Sequence, residues 1–288
     1  MAERILNTMT ELDPLLFQLK DSLQEFDYDR CLELARSLES KVDDMDGRLL
    51  IATAYIEVGL PADALKILTD LASLGSSAPG SDEELIKMLQ LRLSEARFLT
   101  GDPQGALILS LSHDPSDELE SADREFFLGL CRDHMGDSET ADEHFKRATE
   151  LDPAGNPAIP VISADEAHEL IAHVLEELPD PIRKQMEEVP VILENLPELI
   201  LIQESRGQIS PDTLGLYFGD GMPNRHLGGF SSSEGMPTAS SIRIYRRNLE
   251  RMSRDAKDLV EQVRITLLHE IGHHLGLDED DVSKMGLA

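Results

Sequence analysis

Small residues recur at near-regular intervals through the first half of the chain, and they constrain its fold more than any other feature. Cys31, Ala64, Ala106 and Ala141 are separated by 33, 42 and 35 positions. A period in this range is typical of stacked helix pairs, with small side chains where two helices touch. The longest interval holds the insertion G-S-S-A-P-G-S at 75–81, a flexible loop by composition. The spacing therefore predicts an all-α helix-pair solenoid over residues 1–156.

The last repeat unit carries the fullest pattern, in the order Leu128, Gly129, Gly136, Ala141, Phe145, Ala148 and Pro153. It resembles the tetratricopeptide consensus, and earlier units repeat its offsets at Tyr55, Gly59, Ala64 and Leu68, at Gly101 and Ala106, and at Cys31 and Ala35 after Phe26. The resemblance implies three to four helix pairs and a concave groove for a peptide or protein partner. The alternative is a generic bundle whose alanines only let helices approach each other.

Near its end the chain reads H-E-I-G-H-H-L-G-L-D-E, from His269 to Glu279. In a helix, His269 and His273 lie on one face with Cβ atoms roughly 5–6 Å apart, and two such imidazoles can bind one zinc ion. Glu270 is then placed to take a proton from a metal-bound water. The pattern predicts a zinc-dependent hydrolase, most simply a metallopeptidase. The alternative is a solvated helix face without a metal.

The bounds of this helix follow from its flanking residues. Ser253 is a candidate N-cap, and Gly276 can adopt the left-handed conformation that ends a helix after Leu275. Gly272 in the helix interior costs about 1 kcal/mol relative to alanine, which indicates close packing against a sheet. We therefore expect a buried helix rather than a solvated one.

Catalytic zinc needs three protein ligands and one open position for water. The turn after the helix presents several carboxylates, of which Glu279 is the first choice for the third ligand and Asp278 or Asp280 are alternatives. His226, in a loop rich in Gly, Ser, Pro and Asn at 219–237, is another candidate. That loop is predicted to be mobile. The residues leave these alternatives open.

The run L-L-H-E-I-G-H-H-L-G-L-D-E-D-D at 267–281 resembles the small bacterial zincin-like metallopeptidases and the wider H-E-x-x-H-x-x-G-x-x-(His or Asp) signature of metzincin-like peptidases. Segments 177–179, 189–194, 214–217 and 242–245 resemble that family's opening helix and strands. The resemblance implies a small α+β domain over 163–288, a zinc cofactor and peptide hydrolysis. It also implies substrate pairing on the edge of strand 242–245. Tyr217 and Tyr245 are candidates for a hydroxyl that helps the metal stabilise the oxyanion.

Two other readings share these residues. One is a non-catalytic repeat scaffold whose zincin-like half binds metal without cutting peptides. It is disfavoured because structural zinc sites are usually closed and cysteine-rich, and this half has no cysteine. The other is a zinc hydrolase that acts on a non-peptide amide, which only substrate screening would separate.

A net charge of −30 argues against nucleic acid or anionic membrane surfaces as partners. The local exception is an arginine cluster that either contacts acidic substrate groups or pairs with nearby carboxylates, formed by Arg243, Arg246, Arg247, Arg251 and Arg254. The N-terminus lacks a signal-peptide pattern, no apolar run approaches roughly 20 residues, and two distant cysteines lie in apolar helical patterns. We expect a cytoplasmic protein.

The join between the two halves is short and rich in proline. Prolines at 153, 157 and 160 should make it stiff. Ser163 and Glu166 then form a capping box that opens a helix through Leu178. This arrangement predicts that the repeat array is held in a fixed relation to the C-terminal half.

Overall fold

The computed structural model describes residues 13–75, 83–112, 114–205, 207–219, 240–278, 281 and 284, and its first half consists of four helix pairs. The pairs are α1 (Asp13–Gln24) with α2 (Tyr28–Leu38), α3 (Met45–Glu57) with α4 (Pro61–Gly75), α5 (Glu83–Leu99) with α6 (Pro103–Leu111), and α7 (Glu118–His134) with α8 (Ser138–Leu151). The predicted helix-pair solenoid is confirmed. The 75–81 insertion lies outside the described residues except for Gly75.

A turn with left-handed backbone joins the two helices of every pair. Gly59, Gly101 and Gly136 have φ of 75°, 83° and 83°, and Phe26 holds φ of 58° at the equivalent place in the first pair. A glycine accepts this conformation without the steric cost that a Cβ atom imposes. The small anchor residues follow five positions later and are fully buried: Cys31, Ala64, Ala106 and Ala141.

Side chains at these turns fix where the second helices begin. Asp27, Asp102 and Asp137 each accept a hydrogen bond from the backbone N–H three residues on, which satisfies a free donor of the first turn. In the last pair, a Cβ at Gly129 would lie 2.6 Å from Cε1 of Phe145, so only glycine lets α7 and α8 come this close.

Both cysteines are buried and free, as expected. Burial raises the pKa of the Cys131 thiol to about 12. Such a thiol stays protonated at neutral pH and behaves as a small apolar core residue.

The second half is a small α+β unit. Its elements are α9 (Ala164–Glu177), α10 (Asp180–Met186), β1 (Val191–Glu194), α11 (Leu199–Ser205), β2 (Gly215–Phe218), β3 (Ser241–Tyr245), α12 (Arg246–Met252) and α13 (Ala256–His274). The capping box at Ser163 and Glu166 is confirmed. Helix α12 fixes the join between the two halves: the Ile162 N–H donates to the Glu250 carboxylate, and the Ile162 carbonyl accepts from Arg246.

The strands described form one sheet in the order β1-β3-β2. β3 is parallel to β1 and antiparallel to β2, and Arg243 pairs with Ile192 on one side and Leu216 on the other. The prediction that strand 242–245 offers an edge to a substrate is therefore wrong, because neighbouring strands occupy both of its edges. A strand flanked on both sides has no free row of backbone donors and acceptors.

The core of this half lies between the sheet and α13. Ile242 and Ile244 of β3 are fully buried, and Leu259, Val263 and Leu267 of α13 pack in the same cluster. Helix α13 contacts α9, α12, β2 and β3. Throughout the described ranges, no helix combines the length and the apolar character that crossing a bilayer requires. The fold is thus an all-α helix-pair solenoid followed by a small α+β domain.

Candidate metal centre

Helix α13 carries the paired histidines, and its two ends are set by specific caps. Its N-cap is Asp255, whose carboxylate accepts from the Asp258 N–H, so the expectation of Ser253 is wrong. Ser253 instead ends α12, where its Oγ donates to the Leu249 carbonyl. The predicted C-terminal glycine is confirmed, since Gly276 has φ of 85°.

The C-terminal turn folds the chain back over the last turn of α13. The Gly276 N–H donates to the His273 carbonyl and the Leu277 N–H to the Gly272 carbonyl, both at 3.0 Å. This pair of backbone hydrogen bonds is typical of a helix that ends at a glycine with left-handed backbone conformation. It brings the Leu277 carbonyl beside the side chain of His273.

The two imidazoles meet through the same ring nitrogen. His269 Nε2 and His273 Nε2 are 2.8 Å apart, and the rings are nearly perpendicular at 83°. His273 is 7% exposed, and its Nδ1 lies 3.2 Å from the Leu277 carbonyl oxygen. Because a carbonyl only accepts, Nδ1 is the donor in this contact, and in that tautomer of the imidazole Nε2 is the acceptor nitrogen. Metal-binding histidines are oriented by this kind of second bond.

This pair fits a zinc ion as two of its ligands. Zn–N bonds of about 2.0–2.1 Å at a tetrahedral angle place two nitrogens about 3.3 Å apart. The observed 2.8 Å needs an opening of only about 0.5 Å, a small rotation of either side chain. The type of the two donor atoms and their separation therefore suit the metal.

Glu270 lies on the buried side of the same helix, at 6% exposure. It packs on strand β2, where a Cβ at Gly215 would lie 3.0 Å from both Cγ and Oε1 of Glu270 and 2.7 Å from Cγ2 of Thr266. Glycine at 215 therefore lets the helix approach the strand closely enough to hold the carboxylate. A buried carboxylate next to a metal ligand has no structural duty in a closed zinc site.

Among the described residues, no side chain joins His269 and His273 as a third metal ligand. Asp278 is exposed, and its Oδ1 accepts from the Asp281 N–H at 2.9 Å. Across the described ranges, no three His, Cys, Asp or Glu side chains are arranged to hold a metal ion. Glu279, Asp280 and His226 lie outside the described residues.

His274 and Tyr217 form a second polar group beside the histidine pair. Tyr217 is a candidate oxyanion donor, but its contact with His274 was not predicted. His274 Nδ1 is 3.2 Å from the Tyr217 hydroxyl, which is also 3.2 Å from Ser240 Oγ. Tyr217 of the edge strand β2 thus contacts the C-terminal end of helix α13. Tyr245 is fully buried, and its hydroxyl has no hydrogen-bond partner within the described part of the chain. Of the two tyrosines, only Tyr217 is partly exposed beside this helix.

The arginine cluster pairs with carboxylates, as one of its two interpretations predicted. The partners are Glu194 for Arg243, Glu250 for Arg246, Asp133 for Arg247 and Arg251, and Asp258 for Arg254. Asp133 belongs to the repeat half, so two of these pairs cross the junction. Burial alone would raise the pKa of Asp133, but bonds from Arg247 and the charge of Arg251 lower it below its ordinary value.

A cleft of about 540 Å³ lies at this junction, and we call it the junction cleft. Leu91, Phe98 and Phe127 of helices α5 and α7 form its apolar wall, and Pro211, Asn248 and Arg251 of the second half close it. A volume of this order is typical of ligand pockets. Carboxylates of Glu95, Asp123 and Asp212 also line it.

Comparison with known proteins supports the resemblance of the second half. Residues 186–287 match the family model of the zincin-like metallopeptidases. No curated protein was found as a sequence relative. Two solved crystal structures of MamA are similar to the chain at TM-scores of 0.36 and 0.37, with 16% and 17% identity. They cover 69% and 59% of this chain, and the matches span 93% and 83% of those chains.

Proposed function

We propose that the chain is a zinc-dependent metallopeptidase whose repeat half binds substrate or a protein partner. One observation carries this proposal: two imidazole Nε2 atoms converge on one helix face, and the buried carboxylate of Glu270 follows the first of them. The family match over 186–287 makes a metallopeptidase the reaction class to test. We also propose the division into a repeat domain at 1–156 and a metallopeptidase domain at 163–288.

In this proposal His269 and His273 hold the zinc ion, with Glu279 as third ligand and Asp278 as the alternative. Bound zinc supplies a water of lowered pKa and an electrophile for the substrate carbonyl. Glu270 accepts the proton of the attacking water and passes it to the leaving amine. The Leu277 carbonyl keeps His273 in the tautomer that offers Nε2. Tyr217, whose hydroxyl lies 3.2 Å from Nδ1 of His274, is the proposed hydroxyl donor to the developing oxyanion.

The junction cleft is the proposed site for a peptide or protein partner. Its apolar wall accepts bulky side chains, and the carboxylates that line it favour basic rather than acidic segments. A net charge of −30 also favours partners of positive charge and disfavours nucleic acid. Free, buried cysteines are compatible with the reducing conditions of the cytoplasm, where we place the protein.

The test compares Glu270→Gln with Glu261→Gln, the same change at an exposed position of the same helix. Each variant and the wild type is loaded with zinc and given a quenched-fluorescence peptide library. We expect Glu270→Gln to keep zinc and lose hydrolysis by about 100-fold or more, because general-base catalysis contributes that much. Glu261→Gln should cut at the wild-type rate.

Two results would go against the proposal. Normal turnover by Glu270→Gln would refute Glu270 as the base. A wild type that binds zinc and cuts no peptide in the library would instead favour the non-catalytic scaffold.

A further inference from the structure

One carboxylate of the repeat half is buried between two arginines of the other half. Asp133 Oδ2 accepts from Arg247 Nε at 2.6 Å and from Arg251 Nη1 at 2.5 Å, and its Oδ1 accepts from Ser138 Oγ at 2.8 Å. The Asp133 side chain is fully buried, and Arg251 is 8% exposed. Charge-assisted bonds of this length are short and strong, and between buried groups they fix the relative orientation of the two side chains.

The same arginine continues the contact into the second half. Arg251 Nη2 donates to the Asn248 side-chain oxygen, and Asn248 Nδ2 donates to the Pro211 carbonyl at 2.8 Å and the Thr213 carbonyl at 2.7 Å. Asn248 is 3% exposed. We call Asp133, Arg247, Arg251 and Asn248 the junction network.

The segment that Asn248 holds leads directly into β2. Leu214 follows Thr213, and its carbonyl accepts from the Tyr245 N–H at 2.8 Å. Gly215 comes next and lies against Glu270 and Thr266 of α13. An unbroken series of contacts therefore runs from Asp133 in α7 to the strand that supports the carboxylate of Glu270.

We propose that the ion pair of Asp133 and Arg251 positions Glu270, and that through this pair the repeat half holds strand β2 against helix α13. The inference rests on the proposed function of Glu270 as the base, but its physical content is the placement of residues 211–218. Arg251 and Asn248 also line the junction cleft, so a partner bound there contacts the junction network directly. A partner bound in the cleft would therefore change the position of Glu270 through residues 211–218.

The test separates positioning from general stability. Asp133→Asn alone removes the carboxylate that pairs with buried Arg251, whereas Arg247 keeps its ion pair with Asp142 at 2.6 Å. Removing one partner of a buried ion pair is strongly destabilising. The double variant Asp133→Asn with Arg251→Met removes a buried cation together with its counter-charge, while it also deletes the bond from Arg251 to Asn248. The double variant therefore leaves Arg247 paired with Asp142 and buries no unpaired guanidinium at position 251, so it should be less destabilising than Asp133→Asn alone. Gln203→Ala is the matched control, because it removes another junction bond, to the Gly101 carbonyl at 2.7 Å, outside the network.

Hydrogen exchange followed by mass spectrometry on the full chain is the readout. In the double variant we expect exchange in 211–218 to rise by about tenfold or more, while α7 and α8 keep wild-type protection. Gln203→Ala should leave 211–218 unchanged. Wild-type exchange there in the double variant, or a rise that is equal in α7 and α8, would overturn the proposal.

A peptide substrate adds a second readout. With a short peptide that binds only beside α13 and does not occupy the junction cleft, which Arg251 lines, the double variant should lower kcat and leave KM near the wild-type value, because Glu270 is misplaced. A rise in KM alone would contradict a positioning role. The exchange result does not depend on catalysis, so it stands or falls even where Glu270→Gln proves fully active and the proposed function fails.

Discussion

Gly215→Ala tests how closely helix α13 packs on the sheet, through the sign of the change in the free energy of unfolding. Gly215 is not one of the described glycines with positive φ, so its backbone accepts alanine without strain. Where space allows, such a replacement stabilises a protein by about 0.4–1 kcal/mol through the unfolded chain. Here the new Cβ would lie 2.7 Å from Cγ2 of Thr266 and 3.0 Å from Cγ of Glu270. Overpacking of this kind costs about 1–3 kcal/mol. The net effect should therefore be a loss of about 1 kcal/mol, with limits of about 0 and 2.6 kcal/mol from the two ranges.

Urea unfolding measures this change, and Thr266→Ser provides the matched background. Serine lacks the Cγ2 methyl group that the new Cβ meets most closely, so Gly215→Ala should cost about 1 kcal/mol less there. A Gly215→Ala variant that is more stable than the wild type would refute the close contact. Equal costs in the two backgrounds would refute Thr266 as the obstacle.

Further predictions concern the repeat turns and the junction. Phe26→Gly should stabilise the chain by about 1 kcal/mol in urea unfolding, because Phe26 is 70% exposed and has φ of 58°. Gly136→Ala, at φ of 83°, should lower stability by a similar amount. A Phe26→Gly variant without a gain in stability would contradict strain at the turn. Burial, and next the charge of Arg251, lower the pKa of His134 from 6.5 to about 4. The unfolded chain then binds this proton first as pH falls, so stability should drop by up to about 3 kcal/mol between pH 6.5 and 4. His134→Gln should lose that part of the pH dependence, and a variant with the wild-type slope would contradict the assignment.

The elements that local pattern specifies were predictable from the sequence. Repeat spacing indicated the helix pairs because each small anchor follows its own turn, and Gly276 and the capping box at Ser163 are signals within a few residues of their helices. Ser253 misled for the same local reason: it is a good cap residue, yet it completes α12, and Asp255 two positions later begins α13.

Features that depend on distant residues were beyond the sequence. The order of strands placed 242–245 at the centre of the sheet, and a run of four apolar and basic residues cannot show which neighbours it will pair with. The bond from Arg247 to Asp133 joins residues 114 positions apart, with no periodicity to mark it. His274 and Tyr217 meet only because the edge strand lies beside α13.

Metal content tests the central claim most directly. Tag-free wild type, His273→Ala and Glu279→Ala would be purified side by side, incubated with zinc, desalted and measured by elemental analysis, with circular dichroism to verify folding. We expect about one zinc ion per wild-type chain and little or no zinc in either variant, since a catalytic site uses three protein ligands. Folded wild-type protein that takes up no zinc would contradict it.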